Sequence, residues 1–142
     1  QADGKAEFDE IEDPLPFDIN APVIEIEDKD YAFFYRDLTE NLEGYIGKTV
    51  KFKGIVATDA RLPKNNVVIG RHIMTCCADD IAYRGVVAKS DGSYKIKTRD
   101  WITVLGILSE GYSELYRGRG PILTVKEVKT AEKPTQEVAT FY

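Results

Sequence analysis

The chain is poor in the residues that most often carry chemistry, with two cysteines, one histidine and one methionine among 142 residues. The cysteines, Cys76 and Cys77, are adjacent, and a disulfide between neighbours is strained and closes almost no loop. A stabilising disulfide framework is therefore excluded. Because His72 is the single histidine and no paired acid and base stand out, the composition argues against an enzyme.

Long apolar runs are also missing. No segment approaches the 18 consecutive apolar residues of a membrane-spanning helix. The sequence also lacks the pattern of a signal peptide, which is a basic start, an apolar stretch and a cleavage site with small residues. The chain begins with Gln1 rather than Met, so we expect it to be processed or excised from a longer protein. Its length and its 43% hydrophobic content predict one globular domain.

Acidic residues are concentrated at the start of the chain. The chain has 24 acidic and 19 basic residues. Residues 1–30 hold eleven of the acidic and two of the basic residues, so the remainder holds 13 acidic and 17 basic residues. With Pro14 and Pro16, this imbalance predicts an acidic linker or tail over residues 1–22. The mildly basic remainder permits nucleic-acid binding, but it lacks the clustered basic footprint of dedicated binders.

Hydrophobic spacing predicts one helix followed by strands. Phe34, Leu38 and Leu42 recur at four-residue spacing on a helix over residues 31–43. After the helix, hydrophobic residues recur at every second position, which is typical of half-buried strands. Strands are predicted over residues 50–56, 67–75, 83–88, 101–108 and 122–128, with a glycine-rich loop over residues 110–120.

Five short strands preceded by one helix indicate an all-β fold. We predict a five-stranded barrel of the oligonucleotide/oligosaccharide-binding (OB) type over residues 23–132, with a small β-sandwich as the alternative. Gly70 lies inside a predicted strand and indicates a bulge or a close approach of another backbone. The polar residues 133–142 are predicted as a C-terminal tail.

The segment that holds both cysteines also holds the histidine and two carboxylates. On a straight strand, His72 and Cys76 would point to one face and Cys77 to the other. A shared ligand therefore requires the chain to turn at the cysteine pair. At such a corner, both thiolates, His72 and a carboxylate from Asp79 or Asp80 could approach tetrahedral geometry around zinc or another transition metal.

Two other interpretations of the cysteine pair stay open. Free cysteine is often buried, so the pair could pack as small apolar side chains. It could also form a reactive or redox dithiol. A different class of function, binding of single-stranded nucleic acid, follows from the OB prediction, although the third predicted strand offers only Tyr83 for stacking.

Several segments of the chain together resemble a known family. They occur in order as Tyr45-Ile46-Gly47-Lys48-Thr49-Val50, Pro63-Lys64-Asn65, Val68-Ile69-Gly70-Arg71, Thr75-Cys76-Cys77-Ala78-Asp79 and Asp100-Trp101-Ile102-Thr103-Val104-Leu105-Gly106. This series resembles the C-terminal soluble domain of the YcgQ-like bacterial membrane proteins. Members of that family are commonly labelled as one subunit of a two-component membrane permease.

The resemblance implies an N-terminal membrane region outside this chain, a place at the bacterial cell membrane, and a permease as partner. Its most specific part, Gly-Arg followed by Cys-Cys-x-Asp, selects Arg71, Cys76, Cys77 and Asp79 as ligand-binding residues. We therefore predict a non-enzymatic accessory domain that binds a metal or a small ligand at the cysteine pair. The metal would be held by both thiolates, Asp79 and His72, and nucleic acid is an unlikely partner.

Overall fold

The computed structural model describes residues 15–142, so most of the predicted acidic linker lies outside the described residues. Residues 15–23 run without helix or strand. One α-helix and seven strands follow: β1 (Ile24–Glu25), α1 (Tyr31–Glu40), β2 (Thr49–Ala57), β3 (Asn66–Ile73), β4 (Ala82–Lys89), β5 (Trp101–Ser113), β6 (Gly118–Thr130) and β7 (Val138–Ala139). Within the described range, no helix has the length and apolarity needed to cross a membrane.

The strands form a closed ring, which confirms the predicted OB-like barrel. The sheet order is β1-β2-β5-β6-β4-β3-β7, and an additional pairing of β2 with β3 closes the five central strands. All neighbours within the ring are antiparallel except β4 and β6, which are parallel. The ring is a five-stranded barrel, and β1 and β7 extend it at two edges.

Alternation along the strands fills the barrel with apolar side chains. On β2, Val50, Phe52, Gly54 and Val56 are buried, while the residues that alternate with them are partly exposed. On β5, Val104 and Leu108 are fully buried in the same way. Each such side chain contributes about 1.5–3 kcal/mol to folding through its burial. This period-two core confirms the strand predictions for these segments.

The helix packs its apolar stripe against the barrel. Tyr31, Phe34 and Leu38, at three- and four-residue spacing, are buried. The Phe34 ring centroid lies 5.5 Å from that of Phe52, and the Tyr31 hydroxyl donates to the Arg84 carbonyl oxygen at 2.8 Å. The helix ends at Glu40, earlier than predicted, because a separate 3-10 turn follows it.

The barrel brings two glycines into backbone contact. Gly70 on β3 is paired with Gly85 on β4. A Cβ atom on Gly70 would lie 2.2 Å from the Arg84 carbonyl oxygen and 2.3 Å from the Gly85 Cα atom. No side chain fits between these backbones, so the predicted close approach at Gly70 is confirmed.

Residues 110–120 are a hairpin, so the predicted glycine-rich loop is wrong. Strands β5 and β6 pair as far as Ser113 and Gly118. Tyr116, in the turn, donates to the Pro121 carbonyl oxygen at 2.7 Å and accepts the Val87 N–H at 2.9 Å. Burial raises the pKa of Tyr116 to about 12, which keeps this bridging hydroxyl protonated at neutral pH.

Candidate metal centre at the cysteine pair

The chain turns at the cysteine pair, as a shared ligand requires. Strand β3 ends at Ile73, three residues before Cys76, and a 3-10 turn over Ala78–Asp80 leads into β4. The connection between β3 and β4 therefore contains both thiols, and the strand alternation that would separate them does not apply. We call Cys76, Cys77 and Asp80 together the cysteine corner.

Asp80 organises this turn. Its Oδ1 atom accepts the Thr75 N–H at 2.8 Å, and its Oδ2 atom accepts the Cys76 N–H at 2.8 Å and the Cys77 N–H at 3.4 Å. The hydrogen bonds from these backbone amides, chiefly those of Cys76 and Thr75, hold the pKa of the Asp80 carboxyl below its usual value. The carboxylate is thus ionised at neutral pH and faces the thiol-bearing backbone.

Both thiols are free and exposed, so the interpretation that they pack in the core is wrong. One ligand atom from each of Cys76, Cys77 and Asp80 lies within 4.8 Å of the other two. In a tetrahedral zinc site with Zn–S bonds of about 2.3 Å, two sulfurs are separated by about 3.8 Å. Small side-chain rotations would therefore bring the three groups to one ion.

The surroundings of Cys76 do not favour a nucleophile. A hydrogen bond with Cys77, then the hydrogen bond with Asp80 and its negative charge, raise the pKa of the Cys76 thiol. The thiolate is the reactive form of cysteine, and reactive cysteines lie in electropositive surroundings that lower the pKa. The raised pKa therefore lowers the thiolate fraction of Cys76 at neutral pH, and binding of a metal ion there would have to displace the thiol proton.

Replacement of Asp80 by asparagine is expected to make Cys76 more reactive. Loss of the negative charge removes a cause of the raised pKa, so the thiolate fraction at neutral pH increases. Alkylation of Cys76 by iodoacetamide, followed by mass spectrometry across a pH series, should have its midpoint at lower pH in Asp80→Asn. Asp79→Asn is the matched control and should leave the midpoint unchanged; an equal shift in both variants would contradict the role of Asp80.

The two other predicted metal ligands lie outside the cysteine corner. Asp79 is exposed, and its carboxylate is not among the converging ligand atoms. His72 lies on β3 opposite Tyr83, and the two ring centroids are 5.4 Å apart in an edge-to-face arrangement. The structure therefore brings Asp80, rather than Asp79 or His72, to the thiols.

Arg71, predicted as a ligand-binding residue, is 1% exposed and fixes the C-terminal segment. Its Nη2 atom donates to the Gln136 carbonyl oxygen at 2.9 Å, and its Nη1 atom lies 3.1 Å from Asp28 Oδ1. The guanidinium carbon also lies 5.2 Å from the centroid of the Trp101 ring. Arg71 thus joins three distant parts of the chain, and it is not part of the cysteine corner.

Relatives are found among both sequences and structures. UPF0703 protein YcgQ of Bacillus subtilis (strain 168) is 28% identical over 91 residues, which are 63% of this chain and 32% of the relative. The chain thus spans about a third of that protein's length. A chain of the S. pombe Stn1-Ten1 complex matches with a TM-score of 0.43 and 13% identity, covering 86% of each chain.

A second solved structure, that of a putative aspartyl-tRNA synthetase from Leishmania major Friedlin, matches 75% of this chain and 20% of its own length. Its TM-score is 0.44 and its identity 15%. The model of the DUF1980 C-terminal domain matches residues 4–139. The chain therefore belongs to the DUF1980 C-terminal domain family.

Proposed function

We propose that this chain is a non-enzymatic domain of a membrane-anchored permease subunit and that it binds zinc or a related transition metal at the cysteine corner. The observation that carries the metal proposal is the convergence of three ligand atoms, from Cys76, Cys77 and Asp80, within 4.8 Å of one another. Two thiolates and a carboxylate are ligands that zinc accepts. Membrane anchoring and the permease partner are supported by the family resemblance alone.

The position of the corner suits exchange of the metal with a partner. Both thiols are exposed, and three protein ligands leave one tetrahedral position for water or for a group from another protein. Structural zinc sites are closed by four protein ligands. An open, exposed site of this kind fits an accessory domain that takes up or presents a metal ion next to a transporter.

Zinc titration of the anaerobic, reduced domain is expected to give one ion per chain. A Cys76→Ser/Cys77→Ser variant should lose at least about 100-fold in affinity, because both thiolate ligands are removed. Asp80→Asn should lose about tenfold, and Asp79→Asn, the matched control, should bind as the wild type does. Competition with a chromophoric chelator measures all four affinities.

The pH dependence provides a second readout of the same site. Because zinc displaces protons from the thiols and the pKa of Cys76 is raised, affinity should increase as pH rises from about 6 to 8. Equal affinity of the wild type and the double serine variant, or an affinity independent of pH, would refute the metal proposal.

The alternative function, binding of single-stranded nucleic acid, receives less support from the same geometry. OB barrels bind oligonucleotides through the loops that correspond here to the β2–β3 connection and the β5–β6 turn. In these regions Arg61 forms two 2.8 Å bonds with Asp59, and the exposed Tyr112 donates to Glu114. Arg61 and Tyr112, one candidate phosphate-binding group and one candidate stacking group, thus already have partners within the domain.

A further inference from the structure

A second site candidate is a cavity between the helix and the barrel. Its volume is about 450 Å³, and its lining includes Ala32, Tyr35, Arg36 and Thr39 from α1 and Arg84 from β4. The four helix residues follow the three- and four-residue spacing of one helix face. Cavities of about 300–1,000 Å³ are the usual size for small-molecule ligands.

The floor of the cavity is apolar and its rim is cationic. Ala32 is fully buried and Ile73 is 5% exposed, whereas both Arg36 and Arg84 are exposed. No acidic residue lines the cavity. Four other cavities in residues 15–142 each include at least one carboxylate, although the chain as a whole has a net charge of −5.

Both guanidinium groups are available to a ligand. Within residues 15–142, neither Arg36 nor Arg84 has a carboxylate oxygen within 4.0 Å. The guanidinium carbon of Arg36 lies 4.7 Å from the Phe141 ring centroid and 5.5 Å from that of Phe33, which limits its motion. Arg36 is thereby held beside the cavity without being neutralised.

The hydroxyl groups of the cavity add hydrogen-bonding capacity. Thr75 after β3 and Tyr35 line it, and so does Thr39, whose hydroxyl already donates to the Arg36 carbonyl oxygen at 2.9 Å. Burial raises the pKa of Tyr35, while the charge of Arg84 acts in the opposite direction. The phenol therefore stays protonated at neutral pH and can donate to an anion near Arg84.

We propose that this cavity binds a small organic acid, an anionic head group carried on a short apolar body. Arg36 and Arg84 bind the carboxylate, and the apolar body lies along the partly exposed Phe141 ring and the edge of Ile73. Arginine is suited to this role because its planar guanidinium binds carboxylates through paired hydrogen bonds. The cavity includes none of the three ligand groups of the cysteine corner, although Thr75 lines it and donates its N–H to Asp80 at 2.8 Å.

Titration with octanoate, followed by ¹H–¹⁵N NMR spectra of the domain, tests this proposal. Saturable shifts are expected for the amides of Ala32, Tyr35 and Ile73. Octylamine, which has the same chain and the opposite charge, and acetate, which lacks the apolar body, should each bind at least fivefold more weakly. Inorganic phosphate serves as a further anion without an apolar body and should behave as acetate does.

Charge-removing variants assign the site. Arg36→Gln and Arg84→Gln should each weaken octanoate binding at least fivefold, and Arg84→Lys should retain part of the affinity. Arg119→Gln removes an exposed arginine that does not line the cavity and should bind as the wild type does. The Cys76→Ser/Cys77→Ser variant should also bind normally, so this result is independent of the metal proposal.

Three outcomes would overturn the proposal. They are equal binding of octanoate and octylamine, equal weakening by Arg84→Gln and Arg119→Gln, and absence of saturable shifts at Ala32 and Ile73. If Arg36→Gln lowers the thermal stability of the domain, Arg84→Gln and Arg84→Lys decide the question alone, since Arg84 is exposed on its strand.

Discussion

Replacement of Gly70 by alanine is expected to lower the free energy of unfolding by about 3 kcal/mol or more. Overpacking of a well-packed core typically costs about 1–3 kcal/mol, and occasionally more. At Gly70 the added Cβ atom would lie 2.2 Å from the Arg84 carbonyl oxygen and 2.3 Å from the Gly85 Cα atom. Both neighbours are backbone atoms of a paired strand, so no side-chain rotation can relieve the clash.

Urea unfolding, monitored by the fluorescence of Trp101, measures this loss. Gly118→Ala is the matched control, because a Cβ atom at that position has no heavy atom within 4 Å. Its free energy of unfolding should stay within about 0.5 kcal/mol of the wild type. Equal stability of the Gly70→Ala and Gly118→Ala variants would show that β3 and β4 are not in backbone contact at this pair.

Replacement of Arg71 by methionine is expected to cost about 2–4 kcal/mol. Methionine fills part of the space but leaves the carbonyl oxygens of Gln136 and Glu137 without their donor and Asp28 without its buried partner. Buried acceptors that lose their partner cost about 1–3 kcal/mol each, and removal of one member of a buried ion pair costs about 3–5 kcal/mol. These costs apply to fully buried groups. Gln136 and Glu137 are exposed, and the Asp28 side chain is 43% exposed and keeps Lys53 at 3.6 Å, so the total is expected well below their sum, at about 2–4 kcal/mol.

Hydrogen exchange separates this structural role from ligand binding. In Arg71→Met, the Met74 amide, which donates to the Ala139 carbonyl oxygen at 2.9 Å, should exchange faster, because β7 loses its attachment. Arg119→Met, which removes an exposed ion pair with Glu110 and an exposed 3.4 Å bond to the Glu110 carbonyl oxygen, should change the stability by less than about 0.5 kcal/mol. Unchanged stability and unchanged exchange in Arg71→Met would instead support the original prediction that Arg71 is free to bind a ligand.

Local patterns in the sequence were sufficient to predict the barrel. The apolar residues Val50, Phe52 and Val56 occupy every second position and are the buried side of β2. Phe34 and Leu38, four residues apart, are likewise the buried side of the helix. The hairpin at residues 110–120 was missed because glycines and arginines there mimic a loop. Its strands are held by pairing with each other and by the Tyr116 hydroxyl, and neither feature has a local signature.

The site was predicted in part. The requirement for a turn at Cys76 and Cys77 follows from strand geometry and needs no structure. The choice between Asp79 and Asp80 depends on the 3-10 turn, which directs Asp80 back to the amides that precede it. The partners of Arg71 lie 43 to 66 residues away in the chain, so no local pattern could indicate them.

Closure of the barrel limits how this domain can meet another protein. In the described part of the chain, the sheet ends at β1 and β7, each only two residues long. At these two edges few unpaired backbone groups are offered to a strand of another chain, which disfavours strand addition at β1 and β7. A partner that meets the domain at these two edges would recognise side chains and connecting turns, and beside β7 the β3–β4 connection presents two thiols at the surface.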